Sequence, residues 1–160
     1  VKNMHLEPLA SKLFRKPMRM NAAQKTSLIS AWMLIKSNLQ SHARNIFAHF
    51  FEQHPEYLRL FDNEALHTHS ESVLQLFTDL IDDGLQNAEV FDCIMEEIVK
   101  RHEHITRKDV MKLNEIISEY VQKVLKRHMT RTLREAVEKF FIMIESKFQD
   151  PFDDVRNEEI

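Results

Sequence analysis

Glu64-Ala65-Leu66-His67-Thr68-His69-Ser70-Glu71-Ser72-Val73-Leu74-Gln75-Leu76-Phe77-Thr78-Asp79-Leu80-Ile81 repeats its apolar residues at helical spacing, with Leu66, Val73, Leu76, Phe77 and Leu80 on one stripe. Asp82-Asp83-Gly84 follows, and the chain's one glycine marks a helix stop there. Within the run, His69 lies three residues after Leu66, four before Val73 and seven before Leu76. That spacing places its imidazole on the apolar stripe. His67 aligns instead with Asn63, Ser70 and Glu71, the wet side. The next helix, from about Ala88 to His102, repeats the arrangement: His102 lies four residues after Ile98, seven after Met95 and eleven after Phe91. His104 aligns with Lys100, Arg101 and Lys108 and faces solvent.

A buried imidazole needs a partner for each ring nitrogen, and an unsatisfied one costs about 1–3 kcal/mol. Neither stripe shows an obvious polar partner. For one such residue, a core histidine bonded to a backbone carbonyl or a tyrosine is explanation enough. Two on consecutive helices, both flanked by large apolar side chains, point to rings facing each other across an apolar slot. Such a slot suits an iron porphyrin, whose bulk also gives the 11 phenylalanines a surface to pack on. Zinc asks for about four protein ligands, and these stripes supply two.

Helices extend on both sides of this pair. Asn21 and Gln24 read as a reciprocal capping box ahead of the stripe Leu28, Trp32, Ile35 and Leu39. Ile46, Phe47, Phe50 and Phe51 continue as a second apolar face, which ends near His54-Pro55 because proline disfavours helix in the residue before it. A short aromatic turn spans Tyr57 to Phe61. Two further helices carry Val110, Leu113, Ile117, Tyr120, Val121 and Val124, then Leu133, Ala136, Val137, Phe140, Ile144 and Phe148, joined near His128-Met129-Thr130.

Composition agrees. A chain of 160 residues with 1 Gly and 4 Pro has too few turn formers for a sandwich or barrel, so the fold class is all-α. One domain of this length buries about 70% of its unfolded surface. A formal charge of -3 gives no reason to expect nucleic acid as partner. The lone Cys93 excludes an internal disulfide and a multi-cysteine zinc site, and fits a reducing, cytoplasmic setting. Flanked by Asp92, Glu96 and Glu97, it is expected to be inert. The longest apolar run, Phe140 to Ile144, falls far short of the roughly 18 residues of a membrane span. Residues 1–20 read as an N-terminal extension and 151–160 as an acidic tail, and a start at Val1 fits a domain cut from a longer protein.

From about Asn21 to Phe148 the chain resembles a globin. Trp32 matches the family's tryptophan, 22 residues before His54, and Phe50-Phe51-Glu52-Gln53-His54-Pro55-Glu56 ending in Phe61-Asp62 is similar to its helix-turn. His69-Ser70-Glu71-Ser72-Val73-Leu74 resembles the distal helix, and Ile98-Val99-Lys100-Arg101-His102 the proximal segment. The resemblance implies a globin domain over 21–150: a helix bundle packed at oblique angles around haem b bound without covalent attachment. It implies His102 as proximal iron ligand, His69 as distal histidine, and Phe47, Phe61, Val73, Ile98 and Ile105 as haem contacts. Phe61 and His69 are only eight positions apart, so the small helix usual there is expected to be short or missing. The short link is also the reason to expect His69 itself to bind iron when no gas is present.

The resemblance leaves the task open between O2 or another diatomic gas bound for storage, transport or sensing, and Fe(II)/Fe(III) redox with a protein partner. A bis-histidine haem in a sensing or redox role is the expectation, without catalytic residues. A five-coordinate O2 carrier and a non-haem helical interaction module are the alternatives. Arg101, Lys100 and Lys108 are candidates for the haem propionates, though a charge run on a helix is usually a solvated face.

Overall fold

The computed structural model describes residues 19–60 and 63–149, with no side chains for 63–67. The extension before residue 19, Phe61, and the tail from residue 150 lie outside the described residues. All regular structure among the described residues is helical.

Helix α1 (Ala22–Lys36) opens on the expected capping box: the Gln24 N–H donates to Asn21 Oδ1 at 2.8 Å and the Asn21 N–H to Gln24 Oε1 at 3.0 Å. Gln24 is nonetheless 3% exposed, because it also bonds Glu135 and Lys139 on the last helix. Leu28, Trp32 and Ile35 form the buried stripe. The stripe does not run on to Leu39 within one helix. The backbone stops at Ser37, whose hydroxyl donates to the Leu34 carbonyl, and Leu39 opens α2 (Leu39–Gln53). Ala43, Ile46, Phe47, Phe50 and Phe51 are buried along α2. His54 leaves helical geometry at φ −134°, ψ 67°, as the following Pro55 requires, and Pro55–Leu60 form a 3-10 corner.

Helix α3 (Asn63–Asp79) begins directly after the corner, so His69 sits near its start with no separate helix ahead of it among the described residues. Its end departs from the expected glycine stop. Leu80–Gly84 widen into a π turn, closed by the Leu85 N–H on the Leu80 carbonyl at 2.9 Å, and no glycine takes a positive φ. Gly84 is required for closeness instead: a Cβ there would stand 3.0 Å from the Phe91 ring.

Asn87 caps α4 (Ala88–Arg101), Thr106 and Asp109 form a capping box for α5 (Arg107–Val124), and Thr130 caps α6 (Arg131–Glu145). A 3-10 turn, Lys126–His128, joins the last two. Helix α1 packs on α6, α2 on α3 and α5, and α5 on α6. Their shared core holds Trp32, Phe77, Phe91, Phe140 and Phe141, with neighbouring rings tilted or edge to face. The Trp32 indole N–H donates to Thr78 Oγ1 at 2.9 Å, and the Thr78 hydroxyl donates to the Leu74 carbonyl, so every polar atom of this contact is paired.

Burial on α3 is turned by one residue from the sequence reading. Ser70, Leu74, Phe77 and Thr78 are buried, whereas His69, Val73 and Leu76 are half-buried. The stripe that carries His69 faces a cavity.

Candidate functional site

His102 stands where α4 ends, as its C-cap at φ −126°, ψ 48°, with its backbone N–H on the Val99 carbonyl. Its ring turns back one turn, and Nδ1 lies 2.8 Å from the Ile98 carbonyl. A carbonyl can only accept, so Nδ1 carries the proton and Nε2 of the neutral ring holds a lone pair. The polar partner that the stripe lacked is therefore backbone. That bond satisfies one nitrogen and fixes the other in the basic form a metal requires.

His69, on α3, faces it. The two ring centres are 6.2 Å apart with 54° between the planes. Burial, and secondly the nearby His102, hold the His69 imidazole below the ordinary histidine range, so it is neutral at pH 7.

Both rings line one cavity of about 470 Å³ between α2, α3, α4, α5 and the end of α6. Its deep wall is closed by Phe47, Phe50, Phe77, Met95, Ile144 and Phe148, all buried. Its remaining apolar lining, including Val73, Leu76, Ile98, Ile105, Val110 and Leu113, is only half-buried. The two imidazoles thus stand in a hollow of half-covered aliphatic side chains, a surface suited to an apolar ligand. The donor set narrows the choice: among the described residues no group of three or more His, Cys, Asp or Glu side chains converges. Two imidazoles across an apolar hollow are a donor set that a porphyrin, which carries its own ring donors, would fit.

Of the residues singled out in the sequence, Phe47, His69, Val73, Ile98, His102 and Ile105 meet in this cavity. Phe61 lies outside the described residues. Arg101 lines the cavity rim and pairs with Glu97 at 3.3 Å, whereas Lys100 pairs with Glu96 at the surface. His104 is exposed, as its polar alignment required.

Sequence reasoning missed three features. Tyr57, on the 3-10 corner, donates its O–H to Asp109 Oδ1 at 2.6 Å and latches the cavity mouth to the start of α5. Burial works against the Asp109 carboxylate, but hydrogen bonds from Tyr57 and Thr106 and the charge of Lys112 outweigh it and hold the group below its ordinary range. Asn114 lines the cavity at 2% exposure, and its place between Leu113 and Ile117 on the apolar stripe of α5 was the available signal. His42, half-buried on α2, is hydrogen-bonded through Nδ1 to the Tyr120 hydroxyl, 2.7 Å away, while Asn45 donates to the same oxygen. It is a packing histidine satisfied by a tyrosine, away from the cavity.

No helix among the described residues is long and apolar enough to cross a membrane. No curated protein matches the chain. The family described as Globin matches residues 44–148, from within α2 through the last residues lining the cavity, and so takes in both facing histidines. Most of the chain, all-helical and folded around a hollow with two opposed imidazoles, is covered by that match, and it belongs to the globin family, whose members typically bind haem.

Proposed function

We propose that this globin holds haem b between His102 and His69, with His102 as the constant proximal ligand and His69 as an exchangeable sixth ligand, and that it serves gas sensing or one-electron exchange with a protein partner. The observation that carries this reading is the 6.2 Å between ring centres. A metal–imidazole bond is about 2.0 Å, so two such bonds in line, with about 1.1 Å from each nitrogen to its ring centre, would separate the centres by about 6.2 Å. A distal histidine that stays unbound needs a wider gap. The 54° between the planes fits too, because each ring is free to rotate about its own metal bond.

Haem supplies an iron that binds a diatomic gas and cycles between Fe(II) and Fe(III). The chain supplies the rest. His102, held by the Ile98 carbonyl, keeps one orientation and a basic Nε2. His69 would compete with a gas for the haem iron, so only the fraction of molecules with His69 released would bind gas, and net affinity would fall by that fraction. Phe47 and Val73 keep water from the distal side, and Ile98 and Ile105 pack near His102. Arg101 at the rim is the cation for a propionate. The lone Cys93 leaves no Cys-x-x-Cys-His motif for covalent attachment, and as an exposed thiol it suits a reducing cytoplasm.

Rapid mixing of the ferrous protein with carbon monoxide tests the proposal. The rate should level off as carbon monoxide is raised, because His69 must leave first, and His69→Leu should bind about tenfold faster or more with a linear dependence. A linear dependence in the unmutated protein, unchanged by His69→Leu, would refute it.

A further inference from the structure

The two facing histidines sit on arms of the chain that meet again at the cavity mouth. The distal arm is the 3-10 corner Pro55–Leu60 followed by the start of α3, which carries His69. None of the six corner residues is buried, and the corner rests on α2 through the Tyr57 and Phe50 rings, whose centres are 5.3 Å apart. Two residues join Leu60 to Asn63, and a chain spans at most about 3.6 Å per residue, so corner and helix have little slack between them. The proximal arm runs from His102, whose carbonyl accepts the Ile105 N–H at 2.9 Å, through the Thr106 cap into α5. Helix α5 packs on α2 and α6, which makes its first turn a firm support.

Asp109 joins the arms. Its Oδ2 accepts from the Thr106 N–H at 3.0 Å and the Thr106 hydroxyl at 3.1 Å, while its Oδ1 accepts the Tyr57 O–H at 2.6 Å, the length of a charge-assisted bond. Capping α5 occupies one carboxylate oxygen, and the other reaches across the mouth. Burial first, and then the bond to Asp109, hold the Tyr57 phenol above its ordinary range, so it keeps the proton it donates. Lys112 Nζ, 5.6 Å from the centre of the Tyr57 ring, adds a cation–π contact from α5. Farther along α3, the buried Leu74 and the Trp32–Thr78 hydrogen bond fix the helix to the core. His69 lies between that anchor and the corner, so its distance from His102 depends on both.

We infer that Tyr57 and Asp109 are positioning residues for the distal histidine: their hydrogen bond clasps the distal arm to the proximal arm and sets how fast His69 leaves the haem iron. With the clasp closed, the corner is held at the mouth and the first turns of α3 stay over the cavity, where the His69 and His102 ring centres are 6.2 Å apart. With it open, the corner swings on α2, draws the start of α3 outward and withdraws His69, while the Thr78 end stays in place. The clasp thereby sets the fraction of molecules open to gas. Such control rests on the ligation of iron by His69 proposed for this site.

Two measurements on the haem-bound protein test the clasp. In the carbon monoxide adduct, where His69 is off the iron in every case, amide hydrogen exchange from Ser70 to Leu74 should speed about fivefold in Tyr57→Phe, the effect of losing one hydrogen bond. It should stay unchanged in Tyr120→Phe, which removes a tyrosine hydrogen bond of α5 away from the cavity. In rapid mixing of the ferrous protein with carbon monoxide, the limiting rate is the rate of His69 release. That rate should rise about fivefold in Tyr57→Phe, rise less in Asp109→Asn, whose amide oxygen still accepts, and hold constant in Tyr120→Phe. Unchanged exchange in Tyr57→Phe, or an unchanged limiting rate where the unmutated protein does level off, overturns the clasp alone. A rate that never levels off in the unmutated protein overturns ligation by His69 and with it the control of release, and faster exchange in Tyr57→Phe then supports the clasp as a tie between the arms.

Discussion

The two faces of α3 obey different rules. One face, with Ser70, Leu74 and Thr78, is closed by protein, and the Trp32 indole of α1 is paired there with Thr78. The other, with His69, Val73 and Leu76, is only half-covered by protein and opens on a cavity opposite His102. A face that packs on protein tolerates polar atoms where they are hydrogen-bonded, and there burial is complete. A face that lines a cavity is apolar in sequence yet half-exposed in the protein alone, as a ligand-binding surface would be. The difference separates what stabilises this fold from what it is built to hold.

Substitutions can sharpen or break that separation. The largest effect belongs to the cavity: His102→Ala should weaken haem binding at least about a hundredfold, or about 2.8 kcal/mol, with loss of the Soret band and its return on addition of imidazole. Full haem affinity in that variant would remove His102 from the site. Next comes a pair on α3. Leu74→Ala, on the closed face and 0% exposed, should cost about 2–5 kcal/mol in urea unfolding of the haem-free protein, and Leu76→Ala, on the cavity face, well under half of that. Equal losses would mean that both faces are ordinary core.

The smallest effect is at the cavity mouth. Tyr57→Phe removes the hydrogen bond to Asp109 and should cost about 1 kcal/mol at pH 7. Because the folded protein holds the Asp109 pKa below its unfolded value, that contribution is present above the unfolded value and is lost as pH falls through the folded one. The stability gap between Tyr57→Phe and the unmutated protein should thus close in acid. A gap that widens there would mean the bond does not depend on ionised Asp109.

Much of this was legible in the chain. The Asn21–Gln24 capping box, the stop before Pro55 and the inward turn of His69 and His102 follow from local chemistry, where residue type and spacing decide the outcome. What stayed hidden depends on partners distant in sequence. Ser70 read as solvent-facing and Thr78 stood outside the apolar stripe, so the closed face of α3 was invisible until Trp32, 46 residues from Thr78, supplied the acceptor's donor. Gly84 read as a helix stop but serves the close approach of Phe91 in a π turn, which no local pattern announces. The Ile98 carbonyl that orients His102 is a main-chain atom and leaves no mark in the sequence.

The visible spectrum of the ferrous, gas-free protein tests most directly whether the two opposed imidazoles hold one iron. Two ring centres 6.2 Å apart predict sharp, split low-spin bands that disappear in His69→Leu. A single broad high-spin band in the unmutated protein would contradict it, leaving a five-coordinate iron on His102 alone.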